Sequence, residues 1–305
     1  MAQENLNNVS SRRKIIAIFL LILTTVLWGT SFIITKNITE NVPIFFYLGV
    51  RFFIGFIGFL PFFPHLKNLN KKIIIMGLIT GLLHFFGIVF QTYGLQSTTA
   101  GKAGFITGLS TIIVPFITWI GFKKPLQLRV WFAVILSVIG MAFLLLEGVS
   151  GIIFGDILVL LCAFFFAFYI VLNDKYVQIT DVYLYSIIQV LIISMSSFIF
   201  SLFLQESYDF ASFHSSFWYI MSYMGIAVIT LTFLFQNWSQ QYQEPAKTAI
   251  IFTLEPVFAA LFGYIIGNEI LSLFGWIGCT LIFIAILIAV IKTKNNNFKN
   301  KKNSF

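Results

Sequence analysis

Apolar residues recur along this chain in runs of about 20, the length an α-helix needs to cross a hydrocarbon core of roughly 30 Å. Ten runs can be read, beginning near Lys14, Pro43, Lys72, Thr98, Gln127, Phe154, Val182, Phe217, Pro245 and Leu271. The breaks between them are short and polar, and no stretch has the pattern of a soluble domain. The first run follows Arg12, Arg13 and Lys14 and continues through Ile34 without an A-x-A-like cleavage site. It therefore reads as a retained helix rather than a secretory signal. The pattern predicts an all-α polytopic membrane protein with ten transmembrane helices.

A register shift of 145 lays the sequence over itself. "FQTYGLQSTTAGKAGFITGL" from Phe90 then meets "FQNWSQQYQEPAKTAIIFTL" from Phe235, with Phe90, Gln91, Gln96, Lys102, Ile106 and Leu109 matched by identical residues. Farther on, Trp131 meets Trp276 in the same register. Aliphatic matches come easily in such a chain; the Phe-Gln, Lys and Trp matches do not. Small residues repeat as well. Gly101, Gly104, Gly108, Thr111 and Pro115 lie three and four apart, on one helical stripe, and Ala246, Ala249, Thr253, Pro256 and Ala260 form its counterpart. Hydrophobicity alone holds helices together weakly in lipid, so such stripes mark close backbone contact. The fourth and ninth runs are therefore expected to be packed, interior helices. Each contains a proline, Pro115 or Pro256, that removes a hydrogen bond and frees a carbonyl.

Ten helices in two repeats means five per repeat, and an odd number inverts the second half relative to the first. The expected organisation is a tail (1–13), a first five-helix repeat (14–146), a linker (147–153), a second repeat (154–291) and a basic tail (292–305). Inverted repeats of this kind are the architecture of secondary transporters, with a site near the midplane and alternating access around it.

Composition and charge then set the solvent and the orientation. Of 305 residues, 59% are hydrophobic and only 10% charged, and 38 are Phe; such a chain lacks the polar residues to coat a water-facing surface. Its basic residues fall in alternate breaks: Arg12, Arg13 and Lys14; Lys67, Lys71 and Lys72; Lys123, Lys124 and Arg129; Lys175; and the lysines from Lys292 onward. Cytoplasmic loops carry this excess, so both termini are expected in the cytoplasm, with Glu206 and Asp209 on the opposite face, in an inner or plasma membrane. The net charge of +8 follows from topology and the anionic inner leaflet, and gives no reason to expect a nucleic-acid partner.

Several stretches resemble a known family: "WGTSF" (Trp28 to Phe32), "RFF" at Arg51, the segment from Gln91 to Pro115, and "TLEPVFAALFGYIIGNE" from Thr253 to Glu269. They are similar to the EamA-type family of the drug/metabolite transporter superfamily, across nearly the whole chain. The resemblance implies two inverted five-helix repeats around a central cavity and, as the commonest activity, export of amino acids and related small metabolites. One departure is "FKKP" at Phe122 to Pro125, where Lys124 aligns with Glu269 although many relatives carry an acidic residue in both halves.

Charge deep in a bilayer is costly and marks function. Glu255, about ten residues into the ninth run, and His84, about twelve into the third, lie near mid-depth; both side chains can exchange protons. The structural alternatives are a Glu255 bonded to a carbonyl freed by Pro256, and a His84 that only packs. Arg51, Lys102 and Lys247 lie nearer helix ends. They either snorkel to the headgroups or form anion-attracting helix mouths, Lys102 and Lys247 doing so on opposite faces. Trp28, Thr30, Gln91, Tyr93, Tyr169, Gln236 and Trp238 complete the candidate substrate lining, with Gln91 and Gln236 favoured because they hold the same position in both repeats.

Other classes are poorly supported. The histidines His65, His84 and His214 form no metal-binding helix pair, Cys162 and Cys279 lie in separate apolar runs, and no phosphate-binding G-x-x-x-x-G-K-[ST] loop occurs. Neither enzyme chemistry, a metal nor a cofactor is expected. The reading is a secondary exporter of a small molecule within the lipid bilayer, as a monomer or homodimer. Uptake of a sugar, nucleotide-sugar or other organic solute is the runner-up, and a non-transporting scaffold the third reading. A buried Glu with cationic helix mouths suits a zwitterion better than a neutral sugar.

Overall fold

A computed structural model describes residues 11–98, 100–123, 127–145, 153–208, 213–267 and 272–290. Among them every regular element is a helix. The first run forms α1 (Ser11–Thr39), the second α2 (Ile44–Gly58) followed by a 3₁₀ segment (Leu60–Asn68), and the third α3 (Lys71–Ser97). The fourth is broken into α4 (Ala100–Gly108) and α5 (Ser110–Phe122); α6 (Leu128–Leu145), α7 (Phe154–Val177) and α8 (Val182–Phe203) follow. The eighth comprises α9 (Ser215–Gly225), a π turn (Ile226–Leu231) and α10 (Thr232–Gln240). The ninth splits into α11 (Pro245–Phe252) and α12 (Leu254–Gly267), and α13 (Leu273–Val290) comes last.

Every apolar run thus begins within three residues of a helix start. Length and apolarity qualify seven of these segments as membrane spans, or eight when α2 is joined to the 3₁₀ segment that leaves it at 76°. The apolar stretches of α6 (Leu128–Phe143) and α13 (Leu273–Ile288) are shorter. Ser11 to Arg13, expected in the tail, already belong to α1; the rest of that tail, nearly all of the linker, the basic C-terminal tail, Lys124, Asp209 and Glu269 lie outside the described residues. The surface is inverted relative to a soluble protein. Phe132, Leu202 and Phe283 expose more than half of their surface, whereas Arg51, Asn173, Gln189 and Gln240 are buried, the arrangement an apolar solvent selects.

Local chemistry explains the helix ends. Asn70 caps α3 by accepting from Ile73 N at 3.0 Å, and Asp181 caps α8 by accepting from Tyr183 N and Leu184 N. The start of α2 follows Pro43 and has no cap of its own. Its free N–H groups donate instead to Glu206, Phe45 N at 3.1 Å and Phe46 N at 2.8 Å, so a carboxylate from beyond α8 meets the positive end of the helix dipole.

The prolines act differently from expectation. Pro115 lies within α5 and Pro256 in the first turn of α12, while the helices break at Leu109 and Thr253. Proline is tolerated in a first turn, where its missing N–H had no partner to lose, so the chain breaks just before Pro256. In the register of the repeat Leu109 faces Leu254, and the two breaks fall within one position of each other.

Packing confirms that the fourth and ninth runs are interior: α4 lies against α12 and α5 against α11. Close crossings occur elsewhere as well. A Cβ on Gly140 of α6 would lie 2.8 Å from the Gly278 carbonyl oxygen of α13, and one on Gly94 of α3 would lie 2.6 Å from the Gly155 carbonyl oxygen of α7. Gly104 keeps 3.3 Å from Pro256, and Gly108 faces the flexible Met141 side chain. Two apolar clusters result. One gathers α1, α4–α7 and α11–α13, as in Leu21, Val134, Ile251 and Ala285; the other gathers α2, α3, α8 and the π turn, as in Phe45, Phe85, Ile187 and Val228. Trp28 packs against both, and the candidate site lies on this seam.

Candidate functional site

A cavity opens along the seam, lined by side chains of α1, α2, α3, α4, α5, α7, the π turn, α10, α11 and α12. It gathers seven of the residues singled out in the sequence: Trp28, Arg51, His84, Gln91, Tyr169, Gln236 and Glu255. Ser31, Thr107, Ser110, Phe52, Phe166 and Phe233 join them.

His84 sits in an aromatic box. The rings of Tyr169, Phe233, Phe166 and Phe52 surround its imidazole at centroid distances of 4.8, 5.0, 5.1 and 6.1 Å. The box buries the ring, yet its Nδ1 has no hydrogen-bond partner, so packing alone does not satisfy it. Trp28 closes the neighbouring wall against Phe252, centroid to centroid 4.9 Å. Arg51 lies eight residues into α2, in the cavity wall rather than at a helix mouth, and is 3% exposed. Its Nη1 donates to Tyr47 Oη at 3.4 Å and to Thr35 Oγ1 at 3.5 Å, both long, and its Nε has no partner.

The two repeated glutamines face the same space from different surroundings. Gln91 Nε2 donates to Thr107 Oγ1 at 3.1 Å. Gln236 Nε2 reaches Gln240 Oε1 at 3.5 Å, and its own Oε1 is unpartnered although the residue is fully buried. Glu255 stands in the first turn of α12, where the helix N-terminus favours negative charge. Among the described residues it makes no hydrogen bond or ion pair, so the alternative in which it bonds a carbonyl freed by Pro256 is not what the structure has.

Behind Gln236 lies a buried amide network that the sequence reading did not foresee. Asn173 Nδ2 donates to Asn237 Oδ1 at 2.7 Å and also to Gln240 Oε1. Gln189 Nε2 donates to Asn173 Oδ1 and Thr80 Oγ1, both at 2.9 Å. Asn237 Nδ2 donates to Gln189 Oε1 and Ser186 Oγ, both at 2.8 Å. The network ties α3, α7, α8 and α10 together, and Gln236 connects it to the cavity lining.

Other candidates are not brought into the cavity. Thr30 turns to α9, with its Oγ1 2.7 Å from Tyr223 Oη. Tyr93 packs edge-on to Phe45 at 5.7 Å, and Trp238 against Tyr242 at 4.6 Å. Lys247 is in the first turn of α11, 3.9 Å from Glu244. Lys102 is in the first turn of α4, and its side chain lies outside the described residues. Among the residues missed, Ser31 lies one turn beyond Trp28 and Thr107 adjoins Gly108 in the small-residue stripe, so spacing was their signal. Nothing in a chain with 38 Phe distinguishes Phe52, Phe166 or Phe233.

Residues 15–146 and 153–291 match the model of the EamA-like transporter family. The chain belongs to that family. An uncharacterized transporter of Archaeoglobus fulgidus is 32% identical over 275 residues, covering 89% of this chain and 85% of the relative. The uncharacterized transporter YetK of Bacillus subtilis is 22% identical over 284 residues, covering 87% of this chain and 84% of its own. A solved crystal structure superposes with a TM-score of 0.76 at 17% identity, covering 90% of this chain and 98% of the other, which is likeness of fold alone. The apolar helices, the inverted surface and the family together make this an integral membrane protein and a membrane transporter.

Proposed function

We propose that the protein is a secondary exporter of a small zwitterionic or anionic metabolite, an amino acid or close relative, working by alternating access in an inner or plasma membrane. The observation that carries this reading is that Gln91 and Gln236, at matching positions of the two halves, both line the one cavity. In the reading each amide engages the substrate when its own side is open, and Glu255 supplies the central charged contact with His84 beside it.

The mechanism requires ten crossings arranged as inverted repeats, 14–146 and 154–291. Support comes from reciprocal helix pairing. Exchanging each run for its counterpart five runs on turns the α3–α7 contact into that between α10 and α1. It likewise turns α3–α8 into α9–α2, and α1 against α11 and α12 into α7 against α5 and α4, and all of these pairs occur. In such an arrangement the basic breaks lie on the cytoplasmic side and both termini with them. With no phosphate-binding loop in the sequence, the driving force is a gradient.

The test is reconstitution. Liposomes holding the purified full-length chain should exchange labelled amino acids, and Gln91→Leu or Gln236→Leu should slow that exchange. A chain that moves no member of a broad metabolite panel yet supports assembly of a partner enzyme would replace the transport reading with a scaffold.

A further inference from the structure

Arg51 is the charge in this cavity that the transport reading has not used. The residue is 3% exposed, and its guanidinium carries a formal positive charge and donors only. Burying such a charge is strongly unfavourable unless ion pairs and hydrogen bonds replace its water. The protein supplies little of that. Among the described residues no carboxylate lies within ion-pair distance, Nε donates to nothing, and the bonds to Tyr47 and Thr35 are long. The Tyr47 and Phe52 rings, each 5.9 Å away, give only cation–π contact. Three further buried polar atoms on the same cavity also lack partners: His84 Nδ1, Tyr169 Oη and Gln236 Oε1. Four unsatisfied groups from four helices, α2, α3, α7 and α10, are arranged around one space.

We propose that Arg51 is the anion anchor of the transported molecule, gripping a carboxylate through its guanidinium with Tyr169 Oη and His84 Nδ1 beside it. This assignment rests on the transporter reading and narrows its substrate. Charge balance favours a carboxylate over a phosphate. The lining contributes one formal cation, Arg51, and one carboxyl group, Glu255, which form no ion pair with each other. A molecule with one carboxylate and one ammonium gives both groups a partner, the carboxylate meeting Arg51 and the ammonium facing Glu255 and the unpartnered Gln236 Oε1. A dianionic phosphate leaves negative charge uncompensated in a site that offers a single cation. The planar guanidinium also matches a carboxylate in a two-point grip that lysine cannot reproduce.

The test uses the purified full-length chain and reads thermal stabilisation, which reports binding by mass action. The probes are the twenty amino acids, each paired with its carboxamide, together with orthophosphate, glucose and choline. At least one amino acid should raise the melting temperature where its carboxamide does not. Arg51→Lys should weaken that binding by about 10- to 100-fold, the loss of charge-assisted hydrogen bonds, and Arg51→Gln should abolish it. Size-exclusion profiles and unliganded melting temperatures check that both variants fold, and the lysine variant retains a readable signal should the glutamine variant fail to fold. Equal stabilisation by carboxamides or by orthophosphate, or an Arg51→Lys affinity within twofold of the parent, overturns the assignment. Liposome transport of glucose or choline, unaffected by Arg51→Lys, would overturn it while leaving a transporter. Movement of no panel compound would remove the transport reading itself.

Discussion

Gln91 and Gln236 stand 145 positions apart in the sequence and face one cavity, yet only Gln91 has its amide held by a lining hydroxyl, Thr107 at 3.1 Å. Gln236 leaves its Oε1 open and leans on Gln240 at 3.5 Å. An unpartnered acceptor gains a full hydrogen bond when a ligand satisfies it, whereas the Gln91 amide already has one N–H engaged. Gln236→Leu should therefore weaken substrate binding more than Gln91→Leu, by about tenfold if one hydrogen bond separates them. Apparent affinities for exchange in liposomes measure the difference. Equal losses would mean that the amides contact substrate alike.

Glu255 is the second prediction. Its carboxyl lines the cavity at the N-terminal turn of α12 and has no partner among the described residues. Glu255→Gln keeps the shape and removes the ionisable carboxyl, so the chain should insert and melt near the parent temperature while transport falls by about tenfold or more, the worth of a charge-assisted contact to substrate. Transport that is unchanged across pH 5 to 8 would assign Glu255 to helix structure.

How much of this was legible follows from the physics of each feature. The helix starts were readable because water-facing breaks in an apolar chain are conspicuous, as at Asn70 and Asp181. Gln91, Gln236 and Glu255 were readable because polar groups are rare in apolar runs. Arg51 was misjudged from depth along a helix. A position count says how far a residue is from a helix end, but not which way its side chain faces, and that of Arg51 lines the cavity. The amide network escaped notice because Asn173, Gln189 and Asn237 lie on three different helices, and no periodicity in one helix reveals a bond to another.

Glycine contacts supply the third prediction. Gly104 and Gly108 lie on the small-residue stripe, but the backbones approach more closely where α6 crosses α13. Gly140→Ala would set a Cβ 2.8 Å from the Gly278 carbonyl oxygen, a backbone atom that cannot move without its helix. Gly104→Ala meets Pro256 at 3.3 Å and needs a shift of only a fraction of an ångström. Overpacking of this kind costs about 1–3 kcal/mol, so Gly140→Ala should lower the melting temperature clearly and Gly104→Ala far less. Thermal unfolding in detergent compares the two, and the reverse order would contradict the packing described for α6 and α13.

The helix cap across the fold offers a fourth. Glu206 accepts from Phe45 N and Phe46 N at the start of α2, and no side chain of α2 itself caps that end. Glu206→Ala should destabilise by about 1–2 kcal/mol, whereas Glu206→Gln, which keeps one accepting oxygen, should lose less. Tyr208, stacked on Phe46 at 3.9 Å, holds the same connection, so a melting curve that is unaffected by Glu206→Ala would place the anchoring in the rings instead.

The amide network yields the last prediction. Asn237 donates to Ser186 and Gln189 and accepts from Asn173, so three buried groups on two other helices depend on it. In an apolar solvent these groups find no water to replace a lost partner. Asn237→Leu should cost about 1–2 kcal/mol, the range for interhelical hydrogen bonds in membranes. Thr24→Val is the contrast. Its hydroxyl bonds only the Leu20 carbonyl of its own helix, at 2.9 Å, and that carbonyl already serves the helix ladder, so the change should be close to neutral. A double-mutant cycle between Asn237→Leu and Gln189→Leu isolates the shared bond. If the network acts as a unit, the second substitution should cost much less once the first is present, because the groups it would strand are already stranded. Additive losses would mean that Asn237 and Gln189 hold their helices independently, and that the network is a set of separate contacts.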